Sequence, residues 1–197
     1  ESHHARSELS LEMLENFNPC FVLDLTATPK KESNIISYVD AVQLKNEHMV
    51  KLPVIVYNRD SQAEVLTDAI DLRNKLEEIA NAEYAKTGKY IRPIALFQAQ
   101  PKGKEDATTF EKLRDKLVDA GIPADQIAIR TADVNELKNV ELMSPNCPIR
   151  YIITVNALKE GWDCPFAYIL ASLANKTSQV DVEQILGRIL RLPHTSQ

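Results

Sequence analysis

Near the end of the chain, Gln184, Gly187, Arg188 and Arg191 recur at intervals that a helix would bring into line. At about 100° per residue, a helix over Val180–Leu192 places these four on one face about 100° wide. Val182, Ile185, Leu186, Ile189 and Leu190 then occupy the opposite side. Two guanidiniums three residues apart make a clamp for phosphate oxygens. The same pattern also fits an amphipathic helix whose arginines are simply solvated. Gly187 adds a reason to look further, because a glycine inside a helix costs about 1 kcal/mol relative to alanine. Close approach of a ligand or another backbone at that point would account for it.

Upstream, the run Tyr151-Ile-Ile-Thr-Val leads into a loop holding Gly161, Trp162, Asp163 and Pro165. Loops at the carboxyl ends of parallel strands are where α/β folds bind ligands. Asp163 offers a carboxylate to a ribose hydroxyl, a metal-bound water or an arginine; a tight turn with Trp162 as a core plug is the plainer alternative. Thr26-Ala27-Thr28 follows a strand-like run, and its two hydroxyls can bond across a cleft or within an ordinary turn. Glu1 stands beside His3 and His4, but the sequence places no third metal ligand near them. Cys20, Cys147 and Cys164 form no C-x-x-C pair, which argues against a disulfide framework or a zinc site. Cys164 reads either as a thiol beside a motif or as a small buried side chain.

The elements that must position these residues alternate between strands and helices. Strands are predicted at Cys20–Leu25, Leu52–Tyr57, Ile94–Phe97, Ile127–Ile129, Tyr151–Val155 and Tyr168–Leu173. Several are continuously apolar, as strands covered on both faces are. Ser61 and Glu64 form a capping box opening a long helix, with Val65, Leu66, Ala69, Ile70, Leu72, Leu76 and Ile79 as its apolar positions. Thr108 and Glu111 form a second box for a helix that Gly121 ends, and Ser178 with Asp181 opens a third that stops before Pro193. Lys30–Asn34 and Gln100–Thr108 read as polar loops. This alternation predicts an α/β fold with a mainly parallel sheet flanked by helices.

Composition narrows the class. With 197 residues, 44% hydrophobic and 26% charged, the chain can hold one α/β domain and a piece of another. A division is expected at the polar stretch after Pro29, giving units 1–45 and 46–197. The net charge of −5 gives the whole chain no electrostatic pull on nucleic acid, so any such contact must be local. No apolar run reaches the roughly 20 residues of a membrane helix, and no signal segment is visible, so a cytoplasmic protein without membrane contact is expected.

Taken in order, these pieces resemble the later motifs of superfamily 2 helicases. Gln184-x-x-Gly187-Arg188-x-x-Arg191 matches the sixth motif at its four defining positions, and Thr26-Ala27-Thr28 matches the third. Glu1-Ser2-His3 is similar to the end of a D-E-x-H box, and Ile94–Gln98 stands where the fourth motif falls. The stretches Ala157–Tyr168 and Glu183–Pro193 resemble the Res subunit of type III restriction enzymes. The resemblance implies two RecA-like domains with ATP bound between them, residues 1–45 closing the first and 46–197 forming the second.

On that resemblance Glu1 acts as general base near Mg²⁺, Arg191 is the arginine finger and Arg188 a second phosphate contact. Gln184 and Gly187 sit at the nucleotide, Gly161 and Asp163 line its cleft, and Thr26, Ala27 and Thr28 couple nucleotide state to strand movement. ATP and Mg²⁺ are the implied cofactors, double-stranded DNA the implied partner, and a modification (methyltransferase) subunit a further one. A departure limits the expectation. The phosphate loop needs two glycines five positions apart, and Gly88, Gly103, Gly121, Gly161 and Gly187 include no such pair. No nuclease P-D…[DE]-x-K set is visible either. These residues alone are therefore expected neither to hydrolyse ATP nor to cut DNA. Two other functions fit the same pattern: a RecA-like nucleotide- or partner-binding module without motor activity, and an RNA or repair helicase.

Overall fold

A computed structural model describes residues 8–26, 34–51, 53–100, 109–155, 164–173, 186–187 and 189–193. The chain divides into two compact units, residues 1–40 and residues 41–197.

In the first unit, helix α1 (Glu8–Asn16) is the only regular element among the described residues. The strand expected at Cys20–Leu25 does not form. Phe21, Val22, Leu23 and Leu25 are exposed. The reason is physical: an apolar strand covered on both faces needs neighbours for its N–H and C=O groups, and no described strand pairs with this one.

The second unit is an α/β domain. After the short helix α2 (Ala41–Asn46) come α3 (Gln62–Thr87), β1 (Ile94–Gln98), α4 (Phe110–Asp119), β2 (Ile127–Arg130), β3 (Tyr151–Thr154) and β4 (Ala167–Ser172). The four strands form one all-parallel sheet in the order β2-β3-β1-β4. Each expected strand from Ile94 onward is present within a residue or two. The strand expected at Leu52–Tyr57 is not: Pro53–Tyr57 is exposed and unladdered, and Leu52 lies outside the described residues. Only Val50, just before it, bridges to Arg191.

Why these residues make these elements is visible at the caps. The Ser61 hydroxyl accepts from the Glu64 N–H at 3.2 Å, so the expected cap opens α3. Gly88 closes it at φ +69°, the left-handed conformation that a Cβ would oppose, with its N–H on Tyr84 O at 2.8 Å. For α4 the capping residue is Thr109 rather than Thr108. The inward ridge of α3 is Ala69, Arg73 and Ala80, which are buried, with the half-buried Leu66 and Leu76, spaced three and four apart. Leu72 and Ile79, expected on that ridge, are exposed. At about 100° per residue they fall on the flank of that ridge, roughly 80–100° from its centre.

Both faces of the sheet are covered, as a parallel sheet requires. On one face, Ala95, Phe97, Ile129, Tyr151, Ile153 and Ile169 pack with Ala69 of α3 and with Leu113 and Leu117 of α4. On the other, Ile94, Leu96, Ala128, Ile152 and Phe166 pack with Leu137 and Ile189. The edge strand β2 is shielded by Glu136: its N–H donates to Ile129 O at 3.0 Å, and its carboxylate accepts from Ile129 N at 2.8 Å and from Arg114 at 2.9 Å.

Arginines secure the amino end of the sheet. Arg92, 1% exposed, donates to the carbonyls of Ile149 (2.8 Å), Ser144 (2.8 Å) and Leu142, so it gathers the long connection between β2 and β3. Glu77 of α3 pairs with Arg73 and, at 2.9 Å, with Arg150. Arg73 also lies over the Tyr151 ring, 5.3 Å from its centroid.

Arg92→Ala would leave three carbonyls without their donor. It should lower the unfolding free energy by about 3 kcal/mol, read from urea denaturation; a loss below about 1 kcal/mol would mean that the carbonyl cage is not what secures the connection. Burial raises the Tyr151 phenol above its ordinary value; Arg73 lowers it less, Glu77 adds to the rise and Arg150 opposes it. Burial raises Tyr168 as well. The unfolded chain therefore loses these protons first, so stability holds below about pH 10 and falls as pH climbs above it. Denaturation midpoints between pH 8 and 11 should show that fall, and a flat profile would contradict it.

Candidate functional site

Parallel pairing aligns side chains across strands, so residues in register share a face. Gln98 of β1 is in register with both Thr154 of β3 and Ser172 of β4, and Thr154 with Arg130 of β2. One row, Arg130-Thr154-Gln98-Ser172, thus crosses the carboxyl end of the whole sheet. Alternation places it on the face that carries Ile94, Leu96, Ala128, Ile152 and Ile189. The Ser172 hydroxyl donates to Gln98 Oε1 at 3.0 Å. The Gln100 amide donates to Leu173 O at 2.9 Å, and the Leu173 N–H to Gln98 O at 2.9 Å.

Thr154 stands apart within this row. It is 1% exposed, and its hydroxyl has no hydrogen-bond partner among the described residues. A buried hydroxyl without a partner costs about 1–3 kcal/mol. Thr154 is also the last residue of β3, at the end of the sheet where α/β folds bind ligands.

The same face receives the end of the last helix. Leu186, Gly187 and Ile189 are helical, with Ile189 buried, Leu186 half-buried and Gly187 exposed. The division into an apolar and an open side therefore holds for these residues. Arg191 differs from expectation. The helix does not run to Leu192: the chain bends at Leu190, and Arg191 forms an antiparallel bridge with Val50. Arg191 is exposed, and its position is set by that bridge rather than by helical periodicity. Pro193 explains the stop, since it has no N–H for the carbonyl four residues back, that of Ile189.

Of the other expected site residues, Thr26 belongs to the first unit, where it is half-buried. Glu1, Ala27, Thr28, Gly161, Asp163, Gln184 and Arg188 lie outside the described residues. Cys164 is a buried thiol at 1% exposure, and Cys147 is buried as well. A groove of about 780 Å³, lined in part by Arg130, Asn135, Leu137, Glu141, Cys164 and Pro165, borders the β2–β3 connection; among the described residues its lining includes neither Thr26, Gly187 nor Arg191.

Two features escaped sequence reasoning. Thr154 had a usable signal, as a hydroxyl ending a run buried on both faces. The pairing of residues 49–51 with residues 190–192 had none, because nothing local announces a contact across most of the chain. No described helix is long and apolar enough to cross a membrane.

No known protein family, curated protein or solved structure matches the chain.

Gly187 gives a direct test of whether its missing side chain serves a ligand. A Cβ built there meets nothing within 4 Å. Gly187→Ala should therefore stabilise the chain by about 0.5–1 kcal/mol, measured by thermal or urea unfolding. A destabilised variant would show that the glycine is required by the fold itself and not by something that approaches from outside.

Proposed function

We propose that the chain supplies the arginine-bearing side of an ATP site in a superfamily 2 motor similar to the Res subunit of type III restriction enzymes, working on double-stranded DNA. The observation that carries this reading is the combination at the end of the chain: Gly187 and Arg191 exposed beside Ile189, which anchors them to a parallel α/β sheet. A γ-phosphoryl group needs a fixed cation, and Arg191, two residues after a core side chain, offers one.

In this reading the first RecA-like domain, which residues 1–45 close, supplies the phosphate loop and an Mg²⁺-binding aspartate. Water attacks the γ-phosphorus, Glu1 takes its proton, and ADP departs with the β-γ bridging oxygen. Arg191 neutralises charge gathering on the γ-phosphoryl oxygens, with Arg188 as a second contact. Gln184 sits near the γ-phosphate or the attacking water, Gly187 leaves room for the phosphates, and Gly161 and Asp163 line the cleft. Thr26, Ala27 and Thr28 pass the change of nucleotide state to the DNA track. A modification subunit would provide the recognition that a backbone-gripping motor lacks. The protein would work in the cytoplasm.

Support for an ATP site at this edge comes from Thr154. A buried hydroxyl without a described partner, ending the strand that precedes Gly161 and Asp163 in the sequence, is a group for which a ligand would supply an acceptor.

The test is ATP hydrolysis by the full-length protein, with and without duplex DNA, beside Arg191→Ala. Duplex DNA should stimulate the rate, and the substitution should lower kcat by about 10³. Stimulation by RNA alone would move the substrate to RNA. Hydrolysis indifferent to Arg191 would remove the finger and leave a nucleotide- or partner-binding module.

A further inference from the structure

Residues 49–51 hold the end of the last helix by a set of contacts that converge on one side chain. The Lys51 N–H donates to Leu190 O at 2.6 Å, and its ammonium donates to Ile189 O at 2.6 Å. The same ammonium donates to Ala167 O at 2.7 Å, at the start of β4, and lies 4.1 Å from the centroid of the Tyr168 ring. The Leu192 N–H returns to Met49 O at 3.3 Å, and Val50 bridges Arg191.

The chemistry of a helix end says why this matters. The last carbonyls of a helix have no intrahelical donors and carry partial negative charge. Here the shortfall is specific. The donor that Ile189 O would use in a longer helix belongs to residue 193, and Pro193 has none. Lys51 supplies it from elsewhere in the chain, with a positive charge suited to the site. Its backbone takes Leu190 O, the next carbonyl along. One residue therefore satisfies the two carbonyls that immediately precede Arg191 and ties them to the sheet through Ala167.

We propose that Lys51 is the positioning residue for Arg191, fixing where the finger guanidinium starts from the helix end. This rests on the motor reading above. Lys51 does not itself touch the nucleotide in this account. It acts through the backbone of residues 189–191, whose place relative to β4 is set by the ammonium bridging Ile189 O and Ala167 O. A displacement of about 1 Å at a reacting group can cost about 100-fold in rate, so the tether bears on kcat rather than on nucleotide affinity.

The experiment compares Lys51→Met, Lys51→Arg and Arg191→Ala in the full-length protein, reading kcat and KM for ATP separately. Amide hydrogen exchange at Leu190 and Leu192 is followed in the same samples. The expected result is a loss in kcat approaching 100-fold for Lys51→Met, an unchanged KM, and faster exchange at both amides. Lys51→Arg, which keeps charge and donors, should recover most of the rate. Should Lys51→Met fail to fold, Lys51→Gln, with a shorter neutral donor, is read by the same kcat and KM criteria. If Arg191→Ala loses activity while the folded Lys51 variant keeps a full kcat, the Lys51 proposal is overturned and the motor reading survives. If Arg191→Ala keeps a full kcat, the motor reading fails and the Lys51 proposal fails with it.

Discussion

A parallel sheet has no face that it can leave to water, and this constraint organises the second unit. Its connections must cross over one face or the other, so each strand is paid for with a covering element. Helices α3 and α4 cover one side; the β2–β3 connection and the end of the last helix cover the other. The position of Arg191 follows from this arrangement. Ile189 is held in the second face as part of the hydrophobic core, and the arginine two residues later is placed by that anchor together with the bridge to Val50.

The two ends of the sheet use polar groups in opposite ways. At the amino end, arginines are engaged within the protein: Arg92 on three carbonyls, Arg150 and Arg73 on the single carboxylate of Glu77. Such groups hold connections in place. At the carboxyl end, Arg130 and three neutral groups line up across the strands, and the Thr154 hydroxyl is buried without a described partner. One end is closed by charge-assisted contacts and the other retains hydrogen-bonding capacity, which is the polarity that α/β folds exploit when they bind ligands.

The parts of this architecture that were legible in the sequence are those governed by local rules. Ser61 caps α3 because a hydroxyl there meets the Glu64 N–H, and Tyr151–Thr154 is a strand because its side chains can be buried on both faces. Apolar patterning misled where partners were required: Phe21–Leu25 and Val54–Tyr57 have strand-forming residues but no described strand to pair with. Patterning also counted Leu72 and Ile79 as buried, because the apolar arc of α3 is wider than the ridge that meets the sheet and these two lie at its margin. At the candidate site, the open and buried sides of the last helix were readable at Gly187 and Ile189. The end of that helix was not, because it depends jointly on Pro193 and on the distant Lys51.

The strand order also has a consequence for how the domain is made. β1 is central, yet its neighbours β3 and β4 come much later in the chain, with Ala95 paired to Tyr151 and Ile94 to Ala167. During synthesis on the ribosome, α3 and α4 can coil as soon as they emerge, while β1 must wait for most of the remaining sequence. Its apolar residues Ile94–Phe97 are exposed over that interval. Assembly is thus a late, largely concerted event with slow, non-local loop closure, and the nascent chain is a natural client for chaperones that shield hydrophobic segments.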